Sequence, residues 1–231
     1  MTSRSFRTLQ QCIIDCRKCP RLVEWRERVA DEKVLRFRNE TYWGRPIPAF
    51  GEPTAQLAII GLAPAAHGGN RTGRMFTGDS SGDWLFEALH RFGFASKSNS
   101  LRRDDGQSLH HCIITAAVRC APPANQPLPD ELNSCRAFLR EELKMLSSLR
   151  VVITLGHIAF RAFLQAWRDN TGASPAPAVS FRHSGEYALE DGITLITSYH
   201  PSRQNTQTGR LTRSMFYGIF ERARSLISGD P

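Results

Sequence analysis

The sequence predicts an α/β fold: a three-layer α/β/α sandwich around a central, mainly parallel sheet. Short apolar runs of strand length recur at 56–60, 113–118 and 151–155, as expected of strands covered on both faces. Glycine- or proline-bearing loops follow them, and then stretches with helical spacing, the order that winds strands parallel.

Phe6, Leu9, Ile13 and Ile14 give 5–18 a helical spacing that stops before Pro20, and 21–35 reads as a second, heavily charged helix. Gly44, Pro46, Pro48, Gly51 and Pro53 make 39–54 a loop. The strand at 56–60 runs into a long glycine-bearing segment. Ser80 or Ser81 then caps a helix carrying Trp84, Leu85, Leu89 and Phe92. The strand at 113–118 ends in a proline-rich loop, and a helix starts near Pro129 and runs through Cys135, Leu139 and Leu143. The strand at 151–155 leads into a helix to about Trp167, and 171–177 is a Pro/Ala loop. Runs at 187–189 and 193–197 around Asp191-Gly192 predict a hairpin, and a last helix covers 211–227.

A chain of 231 residues fits one large domain, 1–231, burying roughly 70 % of its unfolded surface without disulfides. Charged residues at 23 % and hydrophobic ones at 41 % exclude a disordered or fibrous chain. The best apolar stretch, 151–160, is far short of the roughly 18 residues a membrane span needs. Asp15, Arg17 and Lys18 interrupt any secretory signal core, so a cytoplasmic, intracellular protein is expected. Thirty Lys and Arg against 22 Asp and Glu leave a net charge of +8, which favours an anionic partner, nucleic acid first.

Cys16 and Cys19 form C-x2-C, and Cys120 and Cys135 flank a proline-rich turn. Four thiolates drawn together suit zinc or an iron–sulfur cluster, and spacing does not choose between them. Cys112 opens an apolar run and reads as core, and Cys12 as packing one helical turn before Cys16.

In open α/β sheets, ligands bind beyond the carboxyl ends of the strands, and three strand ends carry unusual segments: 61–79, 119–125 and 199–211. Five glycines in the first let backbone amides approach a ligand, although it is neither a Walker loop nor G-x-G-x-x-G. Phe76 either stacks on a flat heterocycle or anchors the loop, and Asp79 either caps a helix or serves as a catalytic carboxylate. Asn125 offers a paired donor and acceptor that can read a base edge, or simply makes a turn. His200, before Pro201, is held to extended backbone at a strand end.

Together, G-L-A-P-A-A-H-G-G-N-R-T-G-R-M-F-T-G-D at 61–79, A-V-R-C-A-P-P-A-N at 117–125, H-P-S-R-Q-N-T-Q-T-G-R-L-T at 200–212 and the Cys16/Cys19 pair resemble the uracil-DNA glycosylase superfamily. Within it they resemble family 5, whose members carry an iron–sulfur cluster. Families 4 and 1 have acidic groups at the positions of Leu62 and Ala63. Neither exists here, as in family 5.

The resemblance implies hydrolysis of the C1′–N1 bond of a nucleotide flipped out of uracil-containing DNA, or DNA carrying another deaminated base such as hypoxanthine. Phe76 would stack on the base and Asn125 would read its edge. His200 would bond the carbonyl oxygen beside N1, and amides near Ala63 and Ala65 would add donors. Asp79, the only carboxylate of the first motif, is the candidate for orienting water. Ser202 and Arg71 would meet phosphates. The segment with Gln204 and Asn205 would enter the duplex, with Arg210 or Leu211 as wedge. Cys16, Cys19, Cys120 and Cys135 would hold a structural [4Fe–4S] cluster in a monomer. Two rival readings fit less of the sequence. A sugar-trapping relative needs a histidine-bearing insertion that 61–79 lacks, and a non-catalytic nucleic-acid binder or redox carrier leaves the ordered strand-end residues unexplained.

Overall fold

The computed structural model describes residues 3–173 and 179–229, so most of the Pro/Ala loop expected at 171–177 lies outside the described residues. Strands β1 (Phe50–Gly51), β2 (Leu57–Gly61), β3 (Cys112–Ala116), β4 (Val151–Leu155), β5 (Gly185–Ala188) and β6 (Thr194–Ser198) form one sheet in the order β1-β3-β2-β4-β6-β5. The inner four run parallel, and β1 and β5 close the edges antiparallel. The order of strand addition switches sides at β2, with β3 on one flank and the parallel β4 on the other. That switch opens a crevice above the strands' carboxyl ends.

The helices are α1 (Ser3–Ile14), α2 (Pro20–Glu32), α3 (Gly69–Thr72), α4 (Ser80–Arg91), α5 (Pro129–Met145), α6 (His157–Thr171), α7 (Arg203–Gln207) and α8 (Arg213–Ser228). Strand alternation splits the core in two. Leu57 and Ile59 of β2 join Leu85, Phe86 and Leu89 of α4 and Phe216 and Phe220 of α8. Ala58 and Ile60 join Phe160, Phe163 and Trp167 of α6, with Leu139 of α5 and Phe6 of α1. These are the three layers the apolar runs implied, and both faces of the central strands are sealed.

Several boundaries differ from expectation, each for a local reason. The cap of α4 is Asp79, not Ser80 or Ser81, because its Oδ1 accepts the amides of Ser81 at 3.1 Å and Gly82 at 2.9 Å. The last helix starts at Arg213 with Thr212 as cap, which leaves Leu211 in the core, fully buried. The loop at 39–54 contains β1, whose two residues are too few to show a period. Gly51 sits there at φ 127°, where a side chain would overlap the Cys112 carbonyl. No described helix is long and apolar enough to cross a membrane.

Candidate active site

The loops after β2, β3 and β6 meet at one rim and enclose a cavity of about 440 Å³. Ala63, Ala65, Phe76, Asp79, Asn125, His200 and Ser202 all line it, joined by Leu62, Met75 and Arg203. A volume of this order is typical of a small-molecule site.

Phe76 reaches the rim through strain and close packing. It holds φ 51° in the left-handed region, which a bulky residue rarely adopts. Its ring lies on Gly61 at the end of β2, where any Cβ would meet ring atoms at 2.8 Å. Its carbonyl fits under the start of α4 because Gly82 has no side chain. Ala124 and Asn125 are also left-handed, at φ 51° and 56°. Asn125 is exposed, and among the described residues its carboxamide has no hydrogen-bond partner. The amides of Ala63 and Ala65 likewise donate to no described protein acceptor, while Pro64 between them has no donor to offer. Strain and unspent hydrogen-bonding groups therefore coincide at one hollow.

The His200 and Phe76 rings lie 6.0 Å apart, tilted by 30°. Burial pushes the His200 imidazole down to about 4, so it is neutral at physiological pH, a donor without a charge. Asn205 Nδ2 donates to the His200 carbonyl at 2.8 Å and fixes the turn. Burial raises the Asp79 carboxyl above its ordinary value, opposed by the Gly82 and Ser81 amides. Its Oδ1 serves the helix cap. Oδ2 accepts no hydrogen bond from the described residues and lies over Gly68, where a Cβ would overlap it. Asp79 therefore caps α4 with one oxygen and keeps the other unengaged by the described residues on the cavity wall.

Two expected DNA contacts, Arg71 and Leu211, are corrected. Arg71 is 6 % exposed: it pairs with Glu40, lies 3.9 Å over the Phe37 ring and donates to the His67 carbonyl, so it braces the loop instead of facing solvent. Leu211 is core and cannot serve as a wedge, whereas Arg210 is exposed over the Tyr199 ring at 4.6 Å. Asn205 spends its amide inside the turn. Gln204 is exposed on α7, and the Ser202 hydroxyl caps α7 while remaining on the cavity wall.

Cys16, Cys19, Cys120 and Cys135 line a second, small hollow between α2, α5 and the loop after β3. Among the described residues, no three Cys, His, Asp or Glu side chains close onto a single metal-ion position. Burial pushes the Cys120 thiol up to about 12 and Cys135 to about 11, with Arg26 pulling the former down. Arg26 and Arg119, 2 % and 1 % exposed, border the same hollow. Arg26 Nη1 donates to Cys120 Sγ at 2.9 Å, while Arg26 Nε and Arg119 Nε and Nη1 are buried without a partner. Arg119 also pairs with buried Glu142, which accepts from Thr115 and Gln10. Unspent guanidinium donors beside four thiols fit an anionic sulfur-bound group, because a buried donor without an acceptor is costly. Cys112 is core, as expected, and Cys12 is exposed.

Sequence reading missed Arg26 and Arg119. Leu22, Arg26 and Val29 share the buried face of α2 at i, i+4, i+7, a spacing that marks Arg26 as inward-facing. Arg119 carries no comparable signal.

A strained aromatic, a free carboxamide, a neutral imidazole and two unspent amides around one cavity at the strand ends of an α/β sheet suit a flat, polar, uncharged heterocycle. A profile of the Uracil DNA glycosylase superfamily matches residues 48–224, and the chain belongs to that superfamily. The chain is 50 % identical over 216 residues to the Type-5 uracil-DNA glycosylase of Thermus thermophilus, covering 94 % of this chain and 95 % of the relative. The protein of that name from Mycobacterium bovis is 47 % identical over 219 residues, covering 94 % and 80 %. The one from Pyrobaculum aerophilum is 44 % identical over 211, covering 91 % and 88 %.

Proposed function

We propose that the protein removes uracil from DNA by hydrolysing the C1′–N1 glycosidic bond, leaving an abasic site. The observation that carries this reading is the shared cavity of Phe76, Asn125 and His200. The nucleotide leaves the stack at a cost of a few kcal/mol, least at a mismatch such as that left by cytosine deamination. Phe76 stacks on the base, and Asn125 bonds its Watson–Crick edge. As the bond to N1 breaks, its electron pair stays with the base, and His200 and the Ala63 and Ala65 amides bond the oxygen where charge gathers. Neutral His200 stabilises the leaving anion by hydrogen bonding and does not protonate it. Asp79 Oδ2 orients the water that captures the sugar cation, and the water's proton leaves to Asp79 or to solvent.

The cavity's size also supports acceptance of a bicyclic deaminated base such as hypoxanthine. Cys16, Cys19, Cys120 and Cys135 would hold a [4Fe–4S] cluster in a monomeric enzyme, with Arg26 and Arg119 offsetting its negative charge. When bound, the group ties α2 and α5 to the loop that carries Asn125. The thiols' high values mean that assembly releases protons and strengthens with rising pH.

The test is incubation with duplexes carrying one uracil, one hypoxanthine or only ordinary bases, followed by alkali. Cleavage at uracil alone or at both lesions is expected, and a uracil duplex left intact by iron-loaded protein refutes the proposal.

A further inference from the structure

A larger groove of about 700 Å³ opens beside the base cavity, with Ala65, Asp79, Ser80, Asn125 and Arg203 on the shared wall. Two loops form its lips: the single 3-10 turn Leu35–Phe37, and the loop at 100–105. Each lip carries the same pair, an exposed leucine followed by an arginine that lines the groove. Leu35 is 79 % exposed and Leu101 54 %, more than any other large hydrophobic residue described. Arg36 and Arg102 follow them, both exposed. A lone surface leucine needs no explanation, but two beside facing cations on one groove do.

Both lips are held rigidly against the first motif. Arg74, 4 % exposed, donates to Ser100 Oγ and Asp105 Oδ2, each at 2.6 Å, and to the carbonyls of Arg102 and Arg103. Asp105 in turn accepts the amides of Leu101 at 2.8 Å, Arg102 at 3.1 Å and Gln107 at 2.9 Å. On the other lip, Arg71 clamps Phe37 and Glu40 to the Gly78 carbonyl. Burying two arginines is expensive, and hydrophobic packing would stabilise as well. What the arginines supply is a fixed loop shape one residue from Asp79. The acids around the groove leave the lips net attractive to an anion: Glu40 is engaged by Arg71, Asp79 caps α4, and Asp83 sits in the first turn of α4. Asp104 lies 3.5 Å from Arg102, but as an exposed, solvent-screened pair worth little.

We propose that this groove is a second DNA subsite, in which Arg36 and Arg102 grip phosphates of the strand flanking the everted nucleotide while Leu35 and Leu101 lie against its sugars. The proposal rests on the glycosylase reading above and extends the DNA contact to segments outside the three strand-end motifs. With Leu211 buried, it also provides exposed apolar contacts beside the base cavity.

The experiment measures binding to a duplex with a hydrolysis-resistant uracil nucleotide between about 50 and 200 mM salt. The variants are Arg36→Ala, Arg102→Ala and Leu101→Ala, with Lys144→Ala as a charge-matched control at the far end of α5. Each arginine variant should bind roughly two- to fivefold more weakly and lower the slope of log K against log salt by about one. Leu101→Ala should weaken binding by roughly tenfold with the slope unchanged, because apolar burial releases no counterions. The control should match wild type. If wild type excises uracil but all three variants keep its affinity and slope, the second subsite is wrong. If wild type excises no uracil, the glycosylase reading has failed instead.

Discussion

The base cavity and the cysteine hollow lie at the two ends of one short segment, 119–125, yet they are built on opposite principles. At the cavity end, Asn125 is exposed with its amide unspent, and the one imidazole present is driven neutral. At the cysteine end, Arg119 and Arg26 are buried with guanidinium donors unspent, Arg119 also pairing with Glu142 and Arg26 lying 3.7 Å from Glu27. One site is arranged for an uncharged guest that becomes an anion only as it leaves. The other suits a group that is anionic throughout. The segment between them turns through Ala124 and Asn125, both left-handed, so the proposed anchorage at Cys120 would help hold a strained loop in place.

The sharpest way to break that contrast is His200→Ala. Loss of one transition-state hydrogen bond predicts roughly 10²–10³-fold slower single-turnover excision, and an unchanged rate would remove His200 from the chemistry. Phe76→Ala removes the stacking face, worth about 1–3 kcal/mol per base, so affinity for a resistant uracil duplex should fall by roughly 5- to 150-fold. Asp79→Asn keeps an oxygen for the helix cap and should leave thermal stability nearly unchanged while slowing excision by about tenfold or more. Equal losses in stability and rate would mean that the carboxylate is only a cap.

Smaller effects refine the same comparison. With His200 held near 4, the residual excision rate of Asp79→Asn should stay flat through pH 6.5, the ordinary histidine value. The wild-type acid limb should begin above 3.8, the ordinary carboxyl value from which Asp79 is raised, because activity needs the deprotonated form. A midpoint near 6.5 in the variant would show a solvated imidazole. At the other end, Arg26→Met should lower bound iron below the roughly four atoms per chain expected of wild type, with less of the brown absorbance. Full iron content would deny Arg26 its charge-offsetting role, and wild type carrying one zinc would refute the cluster.

Much of the fold was legible because the inner strands are buried on both faces and so read as unbroken apolar runs; 151–155 matches β4 to the residue. The convergence of 61–79, 119–125 and 199–211 followed from strand direction alone, since parallel strands bring their carboxyl ends to one rim. What stayed hidden depends on long-range partners. Leu211 reads as a wedge candidate at the start of the last helix, and nothing local reveals that it joins the core cluster of Phe216 and Phe220. Arg71 reads as a phosphate contact and Arg74 carries no local signal, and only the return of distant Glu40 and Asp105 shows both to be braces. β1 was invisible because two residues have no period.

The central claim is that one cavity receives a flipped-out uracil. A crystal structure with a duplex carrying a hydrolysis-resistant uracil nucleotide tests it most directly. The base should lie on the Phe76 ring with its edge on the Asn125 amide and a carbonyl oxygen within hydrogen-bond reach of His200. A base that stays stacked in the duplex, or that enters the hollow between α5 and α6 lined by Arg136, His157 and Arg161, would contradict it.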